Sequence, residues 1–267
     1  MRFAIVHAAA AVTDAAAVAV IAAAAVVAAV AGAGAAAAAG VAAADAIDVA
    51  AIAPSLVNFS ASNDYCGDGR FVQHSVIMQH IDKLELRPGD TVLDVGCGTG
   101  EETKSMAGKV KSVTGIDASE EMVAVAIKTN SAPNVAYSQW DARAVGDNPD
   151  WREGFDKAVC FFVLHWFPEQ TQALRSISAC LKPGGQTLFI IDNHDDLFIL
   201  TQATSFLKSH EKWGAFVQDY KSSLFMWNLS VQETQKVFKA CGWAEAKCEV
   251  RRHDDVLSEI QLKFVSL

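Results

Sequence analysis

Three glycines at alternate positions behind a carboxylate mark the part of this chain where chemistry is concentrated. Thr91 to Gly100 reads TVLDVGCGTG. An apolar run suited to a buried parallel strand leads through Asp94 into Gly96, Gly98 and Gly100, where a backbone without Cβ atoms can closely approach a nucleotide-like cofactor. The spacing is G-x-G-x-G and lacks the two-residue gap that sets a helix N-terminus on a pyrophosphate in dinucleotide-binding folds. It therefore predicts a cofactor without a pyrophosphate. Ser112 to Asp117 reads as a second strand ending in a carboxylate, placed to accept hydrogen bonds from both hydroxyls of a ribose. A third, Val135 to Trp140, ends at Asp141 and Ala142. Each residue also has a plainer reading: Asp94 and Asp117 as loop-capping carboxylates, Asp141 as a helix N-cap, the glycines as ordinary turns. Their joint order and spacing favour a site.

A second group of reactive side chains follows the fourth strand, Phe155 to Val163. His165 and Trp166 sit at its carboxyl end, where open parallel sheets bind ligands. The imidazole suits a general base, a substrate-orienting group or a loop brace. The indole, a donor only, suits a pocket wall that also binds a carboxylate, or plain packing. Ahead of the first strand, Phe71-Val72-Gln73 begins an amphipathic run to Leu84 that predicts a helical lid. Val72, Val76, Ile77, Ile81 and Leu84 repeat near the helical period, so most of the lid is packing. Gln73 is either solvated or an amide donor to an anion in the pocket.

These residues need a scaffold, and the chain alternates strand and helix for about a hundred residues after Thr91. Leu181-Lys182-Pro183-Gly184-Gly185 reads as a helix stop before a fifth strand, Gln186 to Ile191. Ala246 to Arg251 reads as a sixth, and Ile260 to Phe264 alternates as an antiparallel seventh. If residues 255–267 are helical instead, one sheet edge is missing. The expected fold is α/β: a Rossmann-like, doubly wound, mainly parallel seven-stranded sheet with a helical lid and cap. Residues 59–267 form the predicted domain. Within it 193–228, rich in Phe, Leu and Trp, reads as a cap over an apolar ligand or as a self-packed helical insertion.

The net charge of −9 and isoelectric point near 5.2 come without Lys/Arg blocks. A nucleic-acid partner would need a basic stripe, so a small molecule is expected. The six cysteines, at 66, 97, 160, 180, 241 and 248, include no C-x-x-C pair; they read as reduced core residues in a cytoplasmic protein. Residues 1–58 are alanine-rich and read as lying outside the catalytic domain. Residues 15–44 carry no charge and meet the length criterion for a membrane span. Val18, Val20, Ile21, Val26, Val27 and Val30 together supply only about −2 to −4 kcal/mol on an insertion scale, and Gly32, Gly34 and Gly40 weaken a helix there. Low complexity is the first reading of the segment, and a signal or membrane anchor the second. A transit peptide would be rich in Arg and Ser, which this segment is not.

Asp94-Val95-Gly96-Cys97-Gly98-Thr99-Gly100 resembles the D/E-x-G-x-G-x-G motif of class I S-adenosylmethionine-dependent methyltransferases. That resemblance implies S-adenosylmethionine as cofactor, held by Asp94, Gly96, Cys97, Gly98, Gly100, Asp117, Ala118, Asp141 and Ala142, with Asp141 reaching the adenine amino group. Between about Tyr65 and Asp255 the chain also resembles the juvenile hormone acid O-methyltransferases of arthropods. The likeness is carried by Gln73, Leu164-His165-Trp166, Asp117-Ala118-Ser119-Glu120-Glu121-Met122 and Glu211-Lys212-Trp213. It implies that Gln73 and Trp166 hold the carboxylate of a small apolar acid, farnesoic-acid-like or fatty; His165 joins them as a catalytic candidate from its place after the fourth strand. The family's members extend beyond this chain's last residue and lack its alanine-rich start. Two other readings stay open: a phenol or carbon acceptor with His165 as base, and a non-catalytic paralogue. No metal is implied, and the subunit number is not legible.

Overall fold

Alternate side chains of the central strands point to opposite faces, and helices cover both. The computed structural model describes residues 2–9, 68–192, 208–209, 218 and 225–252. Strands β1 (Arg2–Ala9), β2 (Thr91–Val95), β3 (Ser112–Asp117), β4 (Val135–Gln139), β5 (Phe155–Phe161), β6 (Leu181–Asp192) and β7 (Lys247–Arg252) form one sheet in the order β4-β3-β2-β5-β6-β1-β7. The helices are α1 (Asp68–His80), α2 (Glu101–Ala107), α3 (Glu120–Thr129), α4 (Gln170–Cys180) and α5 (Val231–Ala240).

On one face Leu93, Val95, Ala158, Cys160, Phe189 and Ile191 pack with α4 and α5. On the other, Val92, Val159, Phe161, Leu188 and Ile190 pack with Val76, Ile77, Met106 and their neighbours from α1 and α2. The period of two thus divides each strand between two cores, which is why these strands read as nearly continuous apolar runs. The pairs β2–β3, β2–β5, β3–β4 and β5–β6 are all parallel. Winding reverses between β2 and β5, so the carboxyl ends of β2, β3, β5 and β6 flank the crevice where this architecture takes ligands.

The expected doubly wound sheet is present, with two differences. Residues 1–58 read as lying outside the domain, yet Arg2–Ala9 pairs with β6 in parallel from Arg2↔Gln186 to Ala8↔Asp192. Phe3-Ala4-Ile5-Val6 is a short apolar run with β-branched members, and pairing satisfies the backbone donors and acceptors along that side of β6. The sheet reaches seven strands in this way, and the antiparallel strand expected at 260–264 lies outside the described residues. In the second difference, β6 starts at Leu181 directly after α4, and Lys182-Pro183-Gly184-Gly185 bulges out of the strand instead of preceding it. The pairing jumps from Phe155↔Leu181 to Lys157↔Gln186. Proline has no N–H for the ladder and Gly184 sits at φ +83°, so neither can stay in register.

The lid is helical as expected: α1 continues into a 3₁₀ turn, Ile81–Leu84, and buries Val76, Ile77, Ile81 and Leu84. Helix α5 opens with a capping box in which Ser230 and Glu233 satisfy each other's backbone N–H groups. Phe238 of that helix meets Phe189, Trp227 and Trp243 edge-on or tilted, with ring centroids 5.2 to 6.0 Å apart. Cys97, Cys160, Cys180, Cys241 and Cys248 are free thiols; Cys66 lies outside the described residues.

The chain divides into two compact units. One comprises Met1–Ala8, Gln73–His194 and Ser223–Arg252, and holds the sheet; the other comprises Ala9–Val72, Asp195–Ser222 and His253–Leu267. The second unit is almost wholly outside the described residues, as are the alanine-rich segment and most of the expected cap at 193–228. Among the described residues no helix is long and apolar enough to cross a membrane.

Candidate functional site

The glycine loop leaves β2 through left-handed backbone at Gly96 (φ +74°), Gly98 (φ +53°) and Gly100 (φ +82°), a region open mainly to glycine. Gly96 and Cys97 both donate their N–H to Ile116 O at 2.8 Å, which folds the loop against the end of β3. Asp117 then closes it: Gly98 N donates to Oδ2 at 2.9 Å and Ser119 N to Oδ1 at 2.9 Å. A carboxylate offers about four lone-pair positions, so two remain for a vicinal diol. Burial raises the Asp117 pKa, and the two backbone donors work against that rise. Thr99 Oγ1, buried in the same loop, has no hydrogen-bond partner among the described residues. This donor and acceptor set fits the ribose and chain of a nucleoside-like cofactor.

The remaining cofactor candidates divide. Asp94 is 2% exposed, and Thr103 Oγ1 of α2 donates to its Oδ2 at 2.6 Å, so this carboxylate ties the loop to the following helix. Cys97 is buried, and desolvation together with Asp94 and Asp117 pushes its thiol far above the ordinary range, which makes it unreactive. Ala118 is exposed and its carbonyl accepts from Gln139 Nε2 at 3.0 Å; Ala142 packs into the core. Asp141 is already engaged. Arg143 reaches both its oxygens, with Nη2 at 2.6 Å from Oδ2, and extends Nη1 to Glu169 at 2.8 Å. The guanidinium also lies 5.4 Å from the Phe167 ring centroid. Arg143 holds the Asp141 carboxyl below the usual carboxylate range. An adenine amino group would have to share an acceptor that Arg143 already saturates, so Arg143 links this acid to the loop after β5.

That loop begins at Phe162, a buried non-glycine residue at φ +58°. Its N–H donates to Ile190 O at 2.8 Å, and left-handed backbone at a bulky residue is the kind of strain that gathers at functional sites. A 3₁₀ turn, Leu164–Trp166, follows. His165 is buried, and burial lowers its pKa to about 4. Its Nδ1 lies 3.2 Å from Asp192 Oδ2 at the end of β6, although the contact misses the direction a ring N–H bond needs. Burial pushes Asp192 up to about 7. Relative to the unfolded chain, folding moves one proton from imidazole to carboxyl without changing the count. The pair therefore adds no slope to stability between about pH 4 and 6.5.

Trp166 departs from its expected role. It is 50% exposed, its ring is tilted 47° to His165 at 5.2 Å, and its Nε1 donates to Phe162 O at 3.2 Å. The indole proton is thus spent within the loop and does not stand free for a carboxylate. Gln73 is half-buried on α1, next to His74, whose Nδ1 meets Glu102 Oε1 of α2 at 2.9 Å. The lid helix is thereby tied to the helix that leaves the glycine loop.

Sequence reasoning missed Tyr137, Arg143, Phe162 and Asp192. Asp192 was within reach, because it ends a strand as Asp117 does; ending the fifth strand at Ile191 concealed it. Tyr137 carried no such signal. Its ring underlies the loop so closely that a Cβ on Gly100 would come within 2.5 Å of its hydroxyl, and one on Gly115 within 2.8 Å of its ring. The hydroxyl donates to Asn130 O at 2.9 Å or Gly100 O at 3.1 Å. Tyr137→Phe keeps the ring and removes one such bond, so it is expected to cost about 1 kcal/mol of stability. Calorimetric melting should show the transition lowered by about 2 to 4 °C.

The fold and the loop together define a Rossmann-like domain built to hold a nucleoside cofactor. Residues 92–185 match the family model of the methyltransferase domain. That stretch is thus similar to S-adenosylmethionine-dependent methyltransferase domains, a likeness that points to S-adenosylmethionine as the cofactor. A ubiquinone biosynthesis O-methyltransferase of Pseudomonas fluorescens is 35% identical over 133 residues, covering 48% of this chain and 56% of its own. A juvenile hormone acid O-methyltransferase of Bombyx mori is 27% identical over 179 residues, covering 64% of each. The chain thus spans about half to two thirds of the length of these relatives. The crystal structure of the YcgJ protein of Bacillus subtilis aligns over 63% of this chain and 68% of its own, at 25% identity and a TM-score of 0.48.

Proposed function

We propose that this protein transfers the methyl group of S-adenosylmethionine to the carboxylate of a small apolar acid, giving a methyl ester. The carrying observation is the burial of His165, which lowers its pKa to about 4 and leaves it a poor base at neutral pH. A neutral hydroxyl needs a base to lose its proton, whereas a carboxylic acid, with a pKa near 4, is already ionised. The similarity to the silkworm juvenile hormone acid enzyme supports the same reading.

The acceptor oxygen takes the methyl carbon as the carbon–sulfur bond breaks, so a carbon–oxygen bond forms and S-adenosylhomocysteine leaves; no proton changes hands. The protein's residues act by position. Asp117 and the glycine loop hold the nucleoside, and the strained turn at Phe162 sets the loop that faces the acceptor. Alignment at attack distance and removal of water from the anion supply the acceleration.

A hydroxyl acceptor is the second reading. It is favoured by Asp192, which lies close enough to orient His165 as a base, and by the identity to the ubiquinone biosynthesis O-methyltransferase. Titrating the full chain with S-adenosylmethionine by calorimetry and then adding farnesoic acid tests the proposal, with products read by mass spectrometry. Cofactor binding with methyl ester is the expected result. Binding without ester from this or other apolar acids, but with ether from a phenol, selects the second reading. A folded protein that binds no cofactor is a non-catalytic paralogue.

A further inference from the structure

We infer that His165 and Asp192 form a neutral, proton-sharing pair in which the Asp192 carboxyl donates to His165 Nδ1, leaving Nε2–H as the donor that receives the acceptor's carboxylate. The inference rests on the acid-methylation reading above and names the subsite that reading requires.

The two residues come from adjacent strands and are held by one strap. His165 follows β5 and Asp192 ends β6, and these strands pair in parallel. Phe225 N donates to His165 O at 2.7 Å, and two residues later Trp227 N donates to Asp192 O at 3.1 Å. The strap is anchored by Trp227, whose Nε1 donates to Thr234 Oγ1 of α5 at 2.8 Å. Gln170 Nε2 adds bonds to Leu164 O, at 2.9 Å, and to Phe225 O. Both backbones are thus fixed, and the pair is held by the fold.

Burial decides the protonation. The His165 side chain is 4% exposed and that of Asp192 21%. A separated ion pair there would lose most of its hydration, with no further hydrogen bonds on Nδ1 among the described residues to offset the loss. One proton on the carboxyl avoids that cost. It also fits the contact: alignment is strict at the donor, and a carboxylic O–H turns about its C–O bond where a ring N–H is fixed. Among the described residues, charged groups on the surrounding elements do not alter this. On the same loop and the facing turn, Glu169 and Arg143 pair with each other, and Arg143 also holds Asp141. Asp94, at the end of β2, acts on Cys97 and Cys160. Among the described residues, burial is the one influence that moves His165 and Asp192.

An imidazole that accepts at Nδ1 and is neutral carries its proton on Nε2. It offers an anionic acceptor one donor and no negative charge, while the Trp166 N–H is committed to Phe162 O. When Asp192 loses its proton, the arrangement inverts. Nδ1 becomes the protonated nitrogen facing a carboxylate, Nε2 becomes an acceptor, and a second negative charge stands beside the substrate's own. With Asp192 titrating near 7, kcat/KM for the acid is expected to be level at about pH 6 to 7 and to fall about tenfold per unit above it. A hydroxyl acceptor served by base catalysis would give a profile that rises instead.

The test measures kcat/KM for methyl ester formation from farnesoic acid between pH 6 and 9, at saturating S-adenosylmethionine, in the native protein and in Asp192→Asn. The native ratio between pH 6.5 and 9 is expected to be about 100-fold, following from tenfold per unit. The variant, whose amide can donate to Nδ1 but cannot ionise, is expected to show a ratio near one whatever its absolute rate. A native profile that rises above pH 7, or the same alkaline fall in both proteins, overturns the inference. Nitrogen-15 NMR of the native imidazole gives a reading independent of the variant's folding. The Nε2–H tautomer at pH 6 supports the pair; the Nδ1–H tautomer or an imidazolium overturns it. If no ester forms at any pH from a protein that binds cofactor, the acid reading fails, and the tautomer still reports on the pair.

Discussion

Asp117→Ala is expected to weaken S-adenosylmethionine binding by about 30- to 100-fold, equivalent to about 2 to 3 kcal/mol. In the proposed site the carboxylate makes charge-assisted hydrogen bonds to the ribose, each worth about 1.5 to 3 kcal/mol when one partner is removed. Its loss also strands two loop donors, Gly98 N and Ser119 N, that now point at it. Part of the effect will therefore appear as a looser loop. Asp117→Asn separates the two contributions: its single amide oxygen can keep one of the backbone bonds while losing the charge, so its affinity should fall between native and alanine. Because burial raises the native pKa of this group, cofactor affinity should also decline as pH falls through that titration, and the alanine variant should lack the decline. Calorimetric titration of the three proteins across acidic pH measures both effects. Equal affinities would remove Asp117 from the cofactor site.

Gly96→Ala is expected to be the most damaging single methyl in the domain. At φ +74° an alanine carries a left-handed penalty of about 1 to 2 kcal/mol. Its Cβ would also stand 2.2 Å from Val163 Cγ2, on a β-branched side chain with little freedom to turn away. Relief requires the loop or the turn after β5 to move, at a further cost of about 1 to 3 kcal/mol. Melting should fall by about 5 to 15 °C, and cofactor affinity should drop more than tenfold, because the displaced loop carries Gly98 N away from Asp117. Gly89→Ala is the control, since nothing lies within 4 Å of a Cβ there. A Gly96→Ala protein that melts with the native one would show that the loop adjusts freely.

The geometry of the proposed cofactor half was legible because it is local. Asp94, the three glycines and Asp117 lie at strand ends whose positions follow from apolar runs and turn residues, and a parallel sheet brings such ends to one edge. The acceptor half was read less well, because its chemistry depends on partners distant in sequence. Trp166 looks like a carboxylate donor until Phe162 O is found to take its proton. Asp141 looks like an adenine ligand until Arg143 is found saturating it. His165 reads as a base, an orienting group or a loop brace until its burial, which lowers its pKa to about 4, is in place.

Short apolar runs, glycine spacing and terminal carboxylates are properties of short stretches, and they determined the doubly wound α/β fold and a nucleotide-like cofactor without a pyrophosphate, which the family resemblance narrowed to S-adenosylmethionine. Desolvation and hydrogen-bond competition are set by what surrounds a group in space, so only the tertiary structure decided which donors remain available and where the protons sit. The same holds for the strand beside β6: the short Phe3-Ala4-Ile5-Val6 run has no partner in its own neighbourhood, and only the assembled sheet, by presenting the backbone of β6, gives it one.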